Sequence, residues 1–518
     1  MSEKQYISAS VFIYIILSIA SLTFFPSMHS DEGWLASLSR TISTEHNIGA
    51  SEDFFHEVNR TPHAIKSLFH LLQIPFINIS FTLFNVRLLS LIAGLLTLFF
   101  LFKSSLILFH DKYIALSLTA LTAIDIQFLY ISHFARQEIL ILMIFSICLY
   151  IFLKPEKKWQ YRKDLLIGSL LGISIGIHPN IFIITVGIIF LYLFNLVIRL
   201  INKNTKYPSL LNLGILLGIL ALFGILYIGI SLEINPDFIS DYINFGKKTG
   251  VTKPFIIKIL KLPRFYEKMF FRIGGTYFLP DIRPQLIIIL VSFITLIPLS
   301  IFMKKQRIRI ISIQVLMLGI NTGILLIGKY SPPSIIFIFI PGYLLIFILL
   351  KIIAPSRQGF ILIILIAGSA AFSVKQIIPW IKYDYNKYIG EIGNIIPEES
   401  KTLANLNTVF AFSPKNLYSY RDLVVLNTNF TFIDYIEKHN IEYIIYPDEL
   451  GIIFKERPVW NTMYGNIYPW YEDMMNFFIT DCEKLYQWTE PAYGMRITSY
   501  MGRRGGNIII YKIINNDE

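Results

Sequence analysis

The sequence predicts a polytopic α-helical membrane protein carrying a small mixed α/β domain at its C-terminal end. Three observations predict it. Of 518 residues, 54% are hydrophobic and only 16% charged, with a mean hydropathy of +0.57, whereas globular soluble chains carry roughly a quarter charged residues. The apolar residues gather into about eleven runs near the length that crosses a bilayer. After residue 381 the long apolar runs cease and composition becomes mixed. Disordered, collagenous and disulfide-scaffold classes are excluded, the last because Cys148 and Cys482 are the only cysteines.

The expected spans are Ile7–Phe25, Phe84–Phe102, Tyr113–Tyr130, Ile139–Leu153, Leu165–Ile177, Asn180–Ile198, Leu210–Leu232, Gln285–Met303, Ile310–Ile327, Ser334–Leu350 and Phe360–Ile378. The first lacks a small-residue cleavage site and reads as a retained anchor. Glycines 168, 172 and 176, and 214 with 218, are spaced for close helix packing.

Charge sets the orientation. The formal net charge of +11 could signal nucleic acid, but the Lys and Arg residues concentrate in alternate short loops: Lys103 and Lys112, Lys154 to Lys163, Arg199 to Lys206, Lys304 to Arg309, and Lys351 with Arg357. The positive-inside bias places these loops and the N-terminus in the cytoplasm of a multi-pass cell-membrane protein. The opposite face receives two long loops, 26–83 and 233–284, so residues 1–381 form the transmembrane domain and 382–518 an external α/β domain. In that domain Thr408–Phe412, Ile441–Tyr446 and Asn507–Lys512 read as strands, Phe432–Lys438 as a helix, and Arg503–Gly506 as a hairpin turn. Trp460, Tyr464, Tyr468, Trp470 and Tyr471 read as packing or membrane-contact aromatics, or as rings that stack on a sugar.

The chemically distinctive residues lie on the external side. Nothing of sufficient size remains inside to take a soluble nucleotide, and the chain lacks GxxxxGK[ST], a strand-borne GxGxxG, HExxH and DxD. Asp31-Glu32 follows the first span. A carboxylate pair there reads either as a helix N-terminus or as a general base, because an attacking hydroxyl must lose its proton as its bond forms. Arg136, at the outer start of the fourth span, and Arg87, one turn inside the second, read as phosphate clamps or as snorkelling cations. On an ideal helix His133 shares a face with Arg136, while Glu138 lies roughly 160° round from it. His56, His63 and His70 recur at seven-residue spacing, too far apart on a helix for one zinc ion. His178-Pro179 occupies a tight external turn. In the second long loop Lys258, Lys261, Phe265 and Lys268 fit an interfacial amphipathic helix that meets anionic membrane lipid.

These residues, in this order, resemble the GT-C superfamily of polyprenyl-phosphate-sugar-dependent glycosyltransferases, in the branch of the lipid A aminoarabinose transferases and protein O-mannosyltransferases. The resemblance rests on Asp31-Glu32 after the first span, Thr61-Pro62-His63, Val86 to Ser90 through Gly94, Arg136-Gln137-Glu138, Gly168 through His178-Pro179, and Tyr330 to Pro333 with Pro341-Gly342-Tyr343. It is best in residues up to about 200, and the C-terminal domain matches only in kind. It implies that Asp31 is the catalytic base, that Glu32 orients the acceptor or assists the base, and that Arg136 and Arg87 hold the donor phosphate. His133, Glu138, His178, Lys329 and Tyr330 would line the donor phosphate or sugar site. Relatives often carry Lys where this chain has His178, which would be only partly charged near neutrality. Some members use a divalent metal; the sequence neither requires one nor argues against one, and no metal ligands are assigned. The implied reaction is inverting transfer from a polyprenyl-phosphate sugar to a lipid, glycan or protein acceptor, with no nucleic acid. The rival readings are a secondary transporter, which needs ionisable groups near span midplanes, and a membrane-anchored assembly protein of the envelope.

Overall fold

The computed structural model describes residues 14–57, 60–328, 330–424, 431–457, 468–498 and 500–514. Helix α1 is described over 14–21, and the loop after it folds α2 (Ser30–Glu45) and α3 (Ser67–Ile77). The bundle continues with α4 (Leu83–Phe109), α5 (Lys112–Ile124), α6 (Ile126–Ser132), α7 (Gln137–Leu153), α8 (Tyr161–Ile173), α9 (Ile181–Asn202) and α10 (Leu210–Ile234). The second long loop folds α11 (Phe238–Thr249) and α12 (Phe255–Phe271), and α13 (Arg283–Phe302), α14 (Arg307–Ile327), α15 (Phe339–Ile353) and α16 (Gln358–Ile377) complete the bundle.

Among the described residues seven helical segments are long and apolar enough to cross a membrane, eight if α5 and α6 count as one bent span. The expected fourth and fifth spans fold as shorter helices, α7 and α8, and residues 7–13 of the first lie outside the described residues. The expected Tyr113–Tyr130 span is a broken helix, bent by 66° at Asp125. Asp125 caps α6 through the amides of Gln127 and Phe128, while its other oxygen accepts from Gln285 Nε2 at 2.9 Å and Tyr343 Oη at 2.7 Å. A buried carboxylate is tolerated in such a place only when its hydrogen bonds are made. At the bundle centre, residues 335–349 are all buried, whereas α10 presents Leu222 and Ile225 at 64% and 69% exposure, as a lipid-facing helix would.

Glycine packing follows the expected ladder in one helix and departs from it in another. Gly168, Gly172 and Gly176 receive Ile219, Phe223 and Tyr227 of α10, one turn after another. Gly214 and Gly218, expected to pack, face open space, because α10 meets α8 through its larger side chains. Within the bundle, close backbone approach lies elsewhere: Cβ atoms on Gly319 and Gly323 of α14 would fall 2.8 Å from Gly187 Cα and 2.5 Å from the Ile183 carbonyl oxygen of α9.

The C-terminal domain comprises α17 (Tyr385–Gly393), α18 (Phe432–His439), α19 (Glu449–Glu456), α20 (Tyr471–Thr480) and a five-stranded sheet of β1 (Thr402–Ala404), β2 (Leu417–Ser419), β3 (Tyr443–Pro447), β4 (Cys482–Thr489) and β5 (Asn507–Ile513). Strand order is β2-β1-β3-β5-β4, with β1 parallel to β2 and β3, and β5 antiparallel to β3 and β4. The expected second and third strands and the α18 helix are present. Thr408–Phe412 is not a strand; Leu406–Ala411 coils as a 3-10 helix whose turn is held by Thr408 Oγ1 on the Asn405 carbonyl. Its apolar residues serve docking: a Cβ on Gly33 of α2 would come within 2.4 Å of the Leu406 carbonyl oxygen. The expected hairpin turn at 503–506 is part of a longer connection that starts after Thr489, since β4 was not anticipated. Trp470 and Tyr471 are buried in the domain core; Trp460 and Tyr464 lie outside the described residues.

Both long loops and the C-terminal domain meet at one end of the bundle. Met28 N–H donates to Tyr493 Oη, His56 N–H to Asp422 and Thr498 N–H to the Gly275 carbonyl. These contacts fix the surroundings of Asp31.

Candidate active site

The first turn of α2 places two adjacent carboxylates in different environments. His29 is the N-cap: its Nδ1 accepts from Asp31 N–H at 3.0 Å, and its own amide donates to Glu32 Oε2 at 3.0 Å, a reciprocal capping box. Successive helical residues point about 100° apart, so Glu32 turns inward and Asp31 outward.

Glu32 is fully buried and meets Arg87, also fully buried, with Nε at 2.8 Å from Oε1 and Nη2 at 2.7 Å from Oε2. Ala135 N–H donates to Oε1 at 2.9 Å, and Arg87 Nη1 donates to the carbonyls of Leu22 and Pro26. Arg87, expected to clamp a donor phosphate, instead ties the segment that follows α1 to α2 and α4. Its guanidinium is enclosed, because a buried ion pair is stable only when the remaining lone pairs and protons are satisfied.

Asp31 keeps 29% side-chain exposure. Its Oδ2 accepts from Arg136 Nη1 at 2.9 Å and Tyr277 Oη at 2.6 Å. Arg136 Nη1 also lies 2.5 Å from Tyr277 Oη, and Nη2 lies 3.2 Å from Glu138 Oε1. Burial alone would lift the Asp31 carboxyl, but the His29 ring, the Arg136 guanidinium and the Tyr277 hydroxyl outweigh it and hold Asp31 well below the usual carboxylate range. Burial pushes the His29 imidazole down to about 4, so the ring is neutral near pH 7. Since Nδ1 accepts a hydrogen bond, the proton sits on Nε2, which donates to Thr276 Oγ1 at 2.8 Å. The His29 ring stacks on Tyr277 at 4.4 Å between centroids.

Arg136 and Glu138 meet in spite of the helical-wheel expectation. The chain breaks between α6 and α7, and Arg136 stands at the α7 N-cap with φ −133° and ψ 171°. The extended backbone there frees its side chain to reach Asp31 and Glu138 at once. His133, at the α6 C-cap, is buried against Phe25, and neither ring nitrogen has a hydrogen-bond partner among the described residues. Both Glu138 oxygens lack a hydrogen bond, so its contact with Arg136 is purely ionic.

The remaining expected site residues are held by other elements. His178 Nδ1 accepts from Asn180 N–H at 2.9 Å within its turn. Tyr330 Oη donates to the Lys258 carbonyl at 2.7 Å and its ring stacks on Phe265, so it anchors α12. Lys329 lies outside the described residues. In α12 Phe265 and Met269 point inward, while Ile256 and Leu260 are 62% and 67% exposed. His56, His63 and His70 diverge: onto Tyr418, toward Phe238 and Tyr242, and to Ser39. Among the described residues no three His, Cys, Asp or Glu side chains are grouped to hold a metal. Asp31 is surrounded by a cation, a phenol and a neutral ring, a donor set unsuited to a divalent ion. Sequence reasoning missed His29, Thr276 and Tyr277, because none of them sits in a spaced motif.

No protein-family model matches the chain, and no curated protein matches its sequence. Solved structures do. ArnT from Cupriavidus metallidurans bound to undecaprenyl phosphate superposes with a TM-score of 0.55 at 10% identity, over 98% of this chain and 98% of ArnT. The chain has the GT-C fold. The apo state of the same ArnT gives a TM-score of 0.53 at 10% identity over 99% and 98% of the two chains. The apo oligosaccharyltransferase of Archaeoglobus fulgidus gives 0.51 at 12% identity, over 87% of this chain and 70% of that one. The GT-C fold accounts for the joint architecture of apolar bundle, looped face and appended α/β domain.

Proposed function

We propose that this protein is an inverting membrane glycosyltransferase that moves a sugar from a polyprenyl-phosphate donor to a lipid, glycan or protein acceptor at the external membrane face. The observation that carries this reading is Asp31, an ionised, partly exposed carboxylate fixed by Arg136 and Tyr277 at the looped end of the bundle. The basic short loops supply the sidedness, and undecaprenyl phosphate bound to the similarly folded ArnT supports the carrier class.

Asp31 takes the acceptor hydroxyl proton as the oxygen attacks the anomeric carbon. The bond from that carbon to the phosphate oxygen breaks, and polyprenyl phosphate departs. A phosphate leaving group needs no general acid, so one base suffices. Arg136 and Tyr277 aim the carboxylate and keep it deprotonated, and Arg136 adds positive charge as the phosphate departs. Glu138, on the far side of Arg136, holds the guanidinium from behind. The Glu32–Arg87 pair sets the turn from which Asp31 projects.

The test is sugar transfer by the purified protein in lipid, with a panel of radiolabelled polyprenyl-phosphate sugars, comparing wild type with Asp31→Asn. Transfer or slow donor hydrolysis that vanishes in the folded variant is expected. Equal turnover in Asp31→Asn would remove Asp31 as base; no binding or consumption of any donor would remove the transferase reading.

A further inference from the structure

Asp125 is fully buried at the break between α5 and α6 and takes no part in the chemistry proposed for Asp31. Each of its oxygens accepts two hydrogen bonds. Oδ1 takes the Gln127 and Phe128 amides at 2.9 and 3.1 Å and so starts α6, while Oδ2 takes Gln285 Nε2 of α13 and Tyr343 Oη of α15. Backbone groups freed by a helix break need new partners in an apolar surrounding. Asp125 supplies one for the Phe128 amide, and Ser373 Oγ of α16 donates to the Ile124 carbonyl at 2.7 Å. Side chains from three helices remote in sequence thus hold one 66° bend. Tyr343 belongs to the Pro341-Gly342-Tyr343 stretch, and Gly342 lets α13 lie close to α15, since a Cβ there would meet Ile289 Cδ1 at 2.7 Å.

The bend aims α6, and the far end of α6 carries the site. Ser132 Oγ accepts from Tyr14 Oη of α1 at 2.8 Å, and the Phe134 carbonyl accepts from Ser90 Oγ of α4 at 2.8 Å. The next two residues reach both acids of α2: Ala135 N–H donates to Glu32 and Arg136 Nη1 to Asp31. The Arg136 amide closes onto the Phe134 carbonyl at 2.7 Å, so its guanidinium starts from backbone fixed at the end of α6. Seven helical residues span only roughly 10 Å. A change of tilt at Asp125 is therefore carried directly to Arg136.

We propose that Asp125, held by Tyr343 and Gln285, is a positioning residue for the transfer reaction, setting the tilt of α6 and with it the placement of Arg136 against Asp31. The bearing on catalysis rests on the proposed function. The placement of Arg136 does not.

The experiment takes the full chain in nanodiscs as wild type, Tyr343→Phe, Gln285→Leu and Tyr192→Phe, and measures sugar transfer against pH together with hydrogen exchange of peptides covering residues 132–138. Tyr192→Phe is the matched control, because Tyr192 Oη of α9 donates to buried Asp164 of α8 at 2.9 Å, another phenol on a carboxylate but one that does not touch α6. Tyr343→Phe and Gln285→Leu should each lower kcat on the order of tenfold with the donor KM unchanged. Each should also move the acid limb of kcat/KM to higher pH, as Asp31 loses the Arg136 charge, and quicken exchange over 132–138. The other groups that hold the Asp31 carboxyl down, His29, Tyr277 and Arg421, are the same in every variant. An acid limb that stays in place, exchange no faster than in wild type, or the same changes in Tyr192→Phe would overturn the proposal. A wild type that consumes no donor, while exchange quickens in Tyr343→Phe and Gln285→Leu alone, would sink the glycosyltransferase reading and leave the placement of Arg136 standing.

Discussion

Glu32 and Arg87 form a closed bidentate pair at 2.8 and 2.7 Å with neither side chain exposed, while Asp31, one residue earlier, keeps 29% exposure and turns toward Arg136. One carboxylate holds the turn; the other projects from it toward a ligand. The two acids should consequently fail in different ways when altered.

Arg87→Ala leaves Glu32 buried and unpaired, with an expected loss of about 3–5 kcal/mol. Thermal unfolding of the purified variant in detergent should show a large fall in midpoint, which Arg87→Met combined with Glu32→Leu largely restores. Asp31→Asn, able to accept from the same donors, should unfold close to wild type. A stable Arg87→Ala would show that the pair contributes little to the fold.

Tyr277→Phe removes a hydroxyl that stabilises the ionised form of Asp31. The Asp31 carboxyl then rises, so the acid limb of kcat/KM should move to higher pH, and turnover should fall on the order of tenfold at pH 7. A pH profile of transfer checks both. An unmoved acid limb would mean that Tyr277 does not act through Asp31.

Asp422 joins the first long loop to the C-terminal domain through His56 N–H and Tyr435 Oη. Burial lifts its carboxyl from 3.8 to about 7, against the opposing pull of those two donors. The folded state then holds a proton that the unfolded chain has released between pH 4 and 7, so this group's contribution to stability falls as pH rises through that window. In Asp422→Asn the thermal midpoint should lose that component of its pH dependence. An identical slope in variant and wild type would refute the assignment.

Gly323→Ala drives a methyl group into the Ile183 backbone and should cost about 1–3 kcal/mol, whereas Gly214→Ala meets open space and should leave stability unchanged or slightly raised. Comparing unfolding midpoints tests the α9–α14 contact directly; equal midpoints would place that contact further apart than described.

The bundle and its looped face were legible because lipid demands long apolar runs and the two long stretches between those runs stand out in the chain, both linear properties. Leu210–Leu232 became α10 almost residue for residue. The C-terminal domain was half legible: β3, β5 and α18 carry strong local patterns, but β1 and β2 are three residues each and β4 is largely exposed. Leu406–Ala411 has strand-like composition and folds instead as the surface that receives Gly33.

By itself the sequence determined the solvent of each segment and named Asp31, Glu32, Arg87 and Arg136 as a chemical set, because apolar length, loop charge and acidic or basic identity are written residue by residue. Tertiary structure alone decided how that set divides: Arg87 enclosed with Glu32, Arg136 swung by a helix break onto Asp31 and Glu138, and His29, Thr276 and Tyr277 brought in from separate segments. The physical reason is that a side chain's role depends on burial and on which partner satisfies its charge, and both are set by segments far apart in the chain.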